Sequence, residues 1–431
     1  MLSAFGRAFR TPDLRRKLLF TIAIMAIFRL GSFIPTPGVD YANVQQCIAG
    51  QGDNTLLGLI NVFSGGALLQ LSIFALGIMP YITASIIVQL LRVVIPRFEA
   101  LQKEGQSGQT KLTQYTRYLT IGLAILQSTT VITTARQGLL FQGCQVPVIP
   151  DDSVLTSIYM VITMTAGTGL VMWLGELITE RGVGNGMSLL IFTSIAASFP
   201  TSLWSIAGGA NGVVNFTVMI LVIILVIGLV VFVEQSQRRI PVQYAKRMVG
   251  RRMYGGTSTY IPIKINMSGV IPVIFAASIL AVPGLLAQFG DQGSDWVVWI
   301  SNNLVEQSSP LYIAVYTLMI IFFCFFYTSI TFNPDEVADN MKKYGGFIPG
   351  IRAGRPTAEY LDFVITRITS AGSLYLALVA LIPTLVLVFL GVSTSLPFGG
   401  ASILIVVGVG LDTVKQIDSQ LQQRHYEGFL R

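Results

Sequence analysis

The chain has 431 residues, 52% of them hydrophobic and 11% charged, with 28 Lys and Arg against 21 Asp and Glu and a net charge of +7. Soluble domains carry about a quarter charged residues, so this composition excludes an ordinary soluble globule and points to a polytopic membrane protein. The stretches between apolar windows are under about forty residues, too short for a separate domain with a core of its own.

In chain order, the first apolar segment, residues 18–34, follows Arg7, Arg10, Arg15, Arg16 and Lys17 and lacks a small-residue cleavage site. It is expected to remain as the first span. Next comes an uncharged stretch from Asp53 to Arg92. As one helix it would reach roughly 57 Å at about 1.5 Å per residue, nearly twice the ~30 Å hydrocarbon core, yet it contains no polar turn to separate two full spans. A broken element is predicted, with a half-helix over 56–69 containing Gly65 and Gly66, then a span over 71–95. Discontinuous helices are tolerated at membrane depth where protein buries them or where they line an aqueous cavity. The half-helix is therefore either a removable filler of an outer cavity or a re-entrant segment that simply packs. Ile78 and Ile82 stand one turn apart around Pro80, a spacing that suits a lipid-facing or core-facing stripe as well as a constriction.

Eight further spans are expected at 117–135, 154–178, 186–206, 213–233, 269–289, 310–332, 368–391 and 399–414, the last being the weakest. Ten spans put both termini on one side. Of the 28 Lys and Arg, all fall on that side except Arg29, inside the first span, and Arg136, at the outer end of the third. The positive-inside rule then places both termini in the cytoplasm. Two halves of five spans each enter the membrane in opposite senses, which makes an inverted repeat plausible, although no residue-level similarity links the halves.

Several chemistries are missing. The acidic residues lie in loops or near span ends, as Glu176 and Asp412 do, and the sole histidine, His425, sits in the polar tail. No Gly-rich loop ends in Lys-Ser or Lys-Thr, so no phosphate cradle is present. A secondary transporter with inverted repeats and a structural scaffold are the rival readings, and the transporter lacks membrane-centre charges to couple an ion. Of three cysteines, Cys324 lies inside the eighth span as a small buried hydrophobe. Cys47 and Cys144 fall in outer loops, on the oxidising side, where a Cys47 to Cys144 bridge is expected and two unrelated thiols are the alternative.

The runs "FSGGALLQLSIFALGIMPYITASIIVQLL", "EGQSGQTKLTQYTRYLT", "MWLGELITERGVGNGMSLLIF", "QRRIPVQYAKRMVGRR", "IPIKINMSGVIPVIFA", "FFCFFYTSITFNPDEVADNMKKYGGFIPGIRAGRPTAEYL" and "FGGASILIVV" closely resemble the bacterial SecY family. That family is the large subunit of the Sec protein-conducting channel. The resemblance covers nearly the whole chain and is weakest around residues 40–53, 137–152 and 290–309. It implies an all-α polytopic membrane fold of ten transmembrane helices in two inverted five-helix halves, residues 1–206 and 207–431, with cytoplasmic loops 234–267 and 333–366. It also implies a re-entrant plug half-helix over 56–70, including Leu56, Leu57, Phe63, Gly65, Gly66 and Leu68.

By the same resemblance, a pore ring would be formed by Ile78, Ile82, Met187, Ile191, Ile274 and Ile405, with Met187 departing from the usual branched aliphatic. Such side chains offer a passing chain no specific bond and resist wetting when the pore is empty. Thr83, Gln89 and Gln127 would line a lateral gate, where modest interhelical hydrogen bonds hold the seam shut; ordinary packing glue is the alternative for each. Arg238, Arg239, Lys246, Arg247, Arg251, Arg252 and Arg352 would dock partners. The implied partners are the small membrane subunits SecE and SecG, the motor ATPase SecA, the ribosome, polypeptides bearing signal sequences, and the lipid bilayer. The implied activity is passage of unfolded polypeptide across the bacterial plasma membrane, or sideways into lipid, with neither catalysis nor a cofactor.

Overall fold

The computed structural model describes residue 9 and residues 11–50, 64–138, 146–151, 153–207, 212–244, 247–249, 252–254, 258–289, 294–306, 309–390 and 400–427. The first helix, α1 (Pro12–Gly31), opens with a proline in its first turn, where the missing N–H is no loss, and carries Asp13 at its start and Arg29 at its end, as the helix dipole favours. A short α2 (Tyr41–Gly50) is capped by Asp40, whose Oδ1 accepts from the backbone N–H of Ala42 at 3.0 Å.

The second predicted span is shorter than its sequence suggested. Residues 65–70, the described end of the half-helix expected over 56–69, are turns rather than helix, and α3 runs only over Met79–Val94. Two features stop helix from forming earlier: Leu71 and Gly77 adopt left-handed φ values of 45° and 54°, and Ser72 is drawn into an antiparallel bridge with Pro35. Pro80 then sits in the first turn of α3, and Pro96 ends it by forcing Ile95 to be extended. Two helices follow, α4 (Pro96–Lys103) and α5 (Gln106–Arg136).

The chain continues through α6 (Val154–Arg181), α7 (Gly186–Ala207) and α8 (Gly212–Gln235). Four strands come next, β1 (Gln237–Tyr244), β2 (Arg247–Val249), β3 (Arg252–Tyr254) and β4 (Ser258–Lys264). Then come α9 (Ile271–Phe289), α10 (Asp295–Ile300), α11 (Pro310–Thr331) and α12 (Pro334–Lys343). The last elements are β5 (Gly346–Phe347), α13 (Arg355–Leu390) and α14 (Gly400–Glu427).

Helix-packing partners divide into two groups. In the first, α1 packs on α6 and α7, α6 on α5 and α7, and α5 on α3. In the second, α11 lies against α9 and α13, while α8 packs on α13 and α14. The groups are joined where α7 meets α8 and α14; among the described residues no comparably broad contact ties α3 or α5 to α9 or α11. Among the described residues the two groups therefore meet broadly on one side and leave a thin seam on the other. Small residues let helices approach: Gly186 at the start of α7 lies against the Gly175 carbonyl of α6, and a Cβ on Gly175 would come 2.5 Å from the Met187 sulfur.

Gln106–Arg136, Val154–Arg181, Val213–Gln235, Pro310–Lys343 and Arg355–Val386 each combine apolar composition with the length to cross a membrane. On α8 the exposed side chains include Val213, Leu221, Ile224, Leu225 and Phe232, an arrangement that only a hydrocarbon surround stabilises.

The strands were not foreseen in the sequence. β1 pairs antiparallel with β4, from Gln237 opposite Lys264 to Gln243 opposite Ser258, and with β5 through Gln243 and Phe347. Ile240 and Val242 of β1 point inward with Ile263 and pack on Met341, Ile348, Leu361 and Ile365, so both predicted polar loops fold as one module.

Candidate functional site

All six residues of the expected ring meet in one core cluster. Ile78, Ile191, Ile274 and Ile405 are buried within it, and Ile82 and Met187 pack against it. They come from four helices, two from the first group and two from the second, and each lies in the first two turns of its helix or caps it. Ile78 is the N-cap of α3 and its carbonyl accepts the Ile82 N–H at 3.1 Å, which stacks the two side chains by one turn. The assembled collar is wholly aliphatic apart from the Met187 thioether.

On one side of the collar lies a polar cavity of about 500 Å³ whose walls include Ser188, Ile271 and Gly408, chain neighbours of the collar residues. Its floor is organised by Asn266, whose Nδ2 donates to Glu234 Oε1 at 2.6 Å and to the Gly269 carbonyl at 3.1 Å. Lys415 donates to the Glu234 carbonyl at 3.3 Å, and Lys264 pairs with Asp412 at 3.9 Å. Sequence reasoning missed this hub. The signal available was a single Asn in the run "KINMSG", which carries no spacing to mark it.

On the other side lies the segment that follows Phe63. Leu56, Leu57 and Phe63 fall outside the described residues, while Gly65, Gly66 and Leu68 are described. Gly65 and Gly66 have φ values of 67° and 90°, which only glycine adopts freely. Ser64 Oγ accepts the Leu68 N–H at 3.1 Å, and the segment is stitched to residues 34–36 by Thr36 N–H to Leu71 O and Ile73 N–H to Ile34 O, both 2.9 Å. Leu68 and Leu71 pack with Val44, Cys47, Ile132, Val148 and Met160 in a second cluster. The guanidinium of Arg29 donates from Nη1 to the Gly65 carbonyl.

Cys47 lies in that second cluster and is disulfide-bonded, whereas Cys324 is a free, buried thiol whose sulfur meets Ser268 Oγ at 3.2 Å. Cys144 lies outside the described residues. The first outer loop is held in place, α2 being tied to residues 146–148 by Asn43 Nδ2 to Pro147 O and Asp40 N–H to Val148 O, each 3.0 Å.

The expected gate residues are less tightly defined. Thr83 donates to the Met79 carbonyl of its own helix at 3.0 Å, and among the described residues its hydroxyl shows no interhelical hydrogen bond. Gln89 of α3 and Gln127 of α5 are half-buried, and neither shows a side-chain hydrogen bond among the described residues. Among the basic residues, Arg238 and Arg239 are exposed on β1, and Arg239 lies 4.9 Å over the Tyr260 ring. Arg247 and Arg252 fall on β2 and β3, whereas Lys246 and Arg251 lie outside the described residues. Arg352 is exposed in the turn before α13, its carbonyl held by Thr357 Oγ1 at 2.9 Å.

Two groups of packed helices, apolar outside and meeting around an aliphatic collar, define a polytopic membrane protein. The SecY family pattern matches residues 72–414. The chain is 66% identical to the protein translocase subunit SecY of Streptomyces galbus and 59% identical to that of Mycobacterium tuberculosis, with full coverage of both chains in each case. A solved structure described as that of a protein-conducting channel shares the fold with a TM-score of 0.62 at 18% identity, covering 93% of this chain and 91% of that one. The yeast Ssh1 complex, bound to the ribosome, gives a TM-score of 0.63 at 15% identity, covering 94% and 89%. The chain belongs to the SecY family. It is a bacterial multi-pass membrane protein that conducts polypeptides across a membrane and is not an enzyme.

Proposed function

We propose that the collar of Ile78, Ile82, Met187, Ile191, Ile274 and Ile405 is the constriction through which unfolded polypeptide passes, within a bundle of ten spans in two inverted halves. The observation that carries this reading is the convergence of all six residues, from four helices of both halves, in one cluster. A ring of this kind yields to any sequence and dewets when empty. The polar cavity with Glu234, Lys264 and Asp412 on its wall is the vestibule on the cytoplasmic side, where both termini also lie. Residues 56–70 form the plug on the outer side. The thin seam between α3 with α5 and α9 with α11 is the lateral gate for apolar segments, with Thr83, Gln89 and Gln127 along it.

The module built from both loops presents Arg238, Arg239 and Arg352 to the ribosome and to the SecA motor, since planar guanidinium groups suit phosphate and carboxylate partners. A ribosome-bound relative with the same fold supports that assignment. SecE and SecG are the small subunits expected along the apolar flanks in the plasma membrane. Cys47 pairs with Cys144, because the third cysteine of the chain, Cys324, is free.

The experiment is crosslinking of a stalled secretory chain, bearing a signal sequence, to a photoreactive group at position 82 or 191. Adducts at both positions, and none at Leu225 on the outer face of α8, are expected. Adducts confined to the outer face would overturn the constriction.

A further inference from the structure

We propose that Arg29 is the latch of the plug, a cation fixed on α1 that holds the plug segment shut through the backbone carbonyl of Gly65 and lets go of it when the channel opens. The inference rests on the assignment of residues 56–70 as the plug. An arginine in a span carries a desolvation penalty and marks function by default. Arg29 has two partners that answer for its place: Nη1 donates to the Gly65 carbonyl, and the guanidinium carbon lies 4.7 Å from the centre of the Phe33 ring. A planar guanidinium can stack on a ring face and donate in its own plane at once, which an ammonium cannot.

The acceptor side is shaped to match. Gly65 sits in a wedge between α1 and α7: a Cβ there would stand 3.0 Å from Arg29 Nη1 and 3.1 Å from the Ser194 Cα. Ser194 lies one turn beyond Ile191 of the collar, so the latch closes directly above the constriction. The same end of α1 holds the chain further along, where Phe28 stacks on Phe74 at 5.9 Å. The two contacts differ in kind. Phe28 and Phe74 are buried apolar packing, whereas the Arg29 bond goes to a carbonyl that water in an open funnel satisfies equally well. The aromatic pair is the permanent anchor and Arg29 is the releasable one.

Resting ion current through the channel in planar bilayers tests this, using Arg29→Met, Arg29→Lys and Gly65→Ala in the full chain, and Arg29→Met also in a deletion of residues 57–68. Arg29→Met is expected to raise the resting open probability on the order of tenfold, the effect of one hydrogen bond to a charged group. Arg29→Lys should fall between Met and the parent. Gly65→Ala, which attacks the contact from the other side, should leak as Arg29→Met does, and the two together should leak no more than either alone. In the deletion background Arg29→Met should add nothing, because the group it holds is gone. Added leak there would show that Arg29 only braces α1, and would overturn the latch. So would an Arg29→Met channel as tight as the parent beside a leaking deletion. A deletion as silent as the parent would instead overturn the plug assignment itself.

Discussion

Arg117 of α5 and Glu176 of α6 are joined by two parallel charge-assisted hydrogen bonds, Nε to Oε1 and Nη2 to Oε2, each 2.8 Å long. Gln114 Oε1 accepts a third from Nη1 at 3.1 Å, so the guanidinium is fixed in its plane. The pair clamps α5, which carries α3 beside the seam, to α6 at the foot of the first half.

The Arg117 side chain is 37% exposed, which screens the pair despite its good geometry. A double-mutant cycle of Arg117→Gln and Glu176→Gln on unfolding of the purified chain should give a coupling energy on the order of 1 kcal/mol. Additive effects would assign the α5–α6 contact to packing alone.

Ile405 is fully buried in the collar, so Ile405→Asn places an amide where no partner awaits it. The unpaired group costs about 1 to 3 kcal/mol and draws water into the constriction. Resting ion current should rise clearly, whereas Ile405→Leu, which keeps the volume and apolar character, should stay near the parent. Equal currents in the two variants would remove Ile405 from the seal.

How much of this was legible in the sequence depends on the range of the interactions involved. The apolar parts of the long helices were, since charge clusters and apolar windows mark them directly; α6 and α8 begin and end within a few residues of expectation, whereas α5 and α13 start more than ten residues before theirs, in polar turns that hydropathy does not mark. The collar residues were named from resemblance, and periodicity by itself left Ile78 and Ile82 ambiguous. The start of α3 was not legible because it is set by Pro35 pairing with Ser72, a contact between elements. The β1–β4 hairpin was missed because the alternation in "RRIPVQY" covers only Ile240 and Val242 before charges resume. Arg29 was counted as an exception to the charge rule, and its partner Gly65, distant in sequence, could not be read from the chain alone.

Asn266 holds Glu234 by a 2.6 Å hydrogen bond while both side chains are buried. Asn266→Ala strips the Glu234 side chain of a donor, and a destabilisation of about 1 to 3 kcal/mol follows from leaving a buried polar group without it. Glu234→Gln retains an acceptor for Asn266 and should cost less. The thermal midpoints of the two variants provide the check, and the reverse order would contradict the hub described here.

Arg352 is exposed, and among the described residues its backbone carbonyl is engaged by Thr357 while its guanidinium shows no partner. Arg352→Glu reverses the charge at the tip of the module without touching its core. Motor-driven or ribosome-coupled transport should fall severalfold while membrane insertion of the chain itself is unchanged. Binding of the isolated motor to proteoliposomes decides the point, and unchanged affinity with unchanged transport would reduce Arg352 to a topology anchor.

The proposed Cys47 to Cys144 bridge would span about a hundred residues, for which chain-entropy arguments give about 4 to 5 kcal/mol, less in a membrane where spans already restrict the unfolded chain. Cys47 packs in the same cluster as Leu68 and Leu71, so the proposed bridge would brace the segment that carries them. Alkylation of the unfolded, unreduced chain should add one group, on Cys324, and alkylation after reduction should add three. Reduction of the native protein should loosen residues 41–50 before it affects the collar, which hydrogen exchange can follow segment by segment. Three groups taken up without reductant would show that the bridge does not exist in the native membrane.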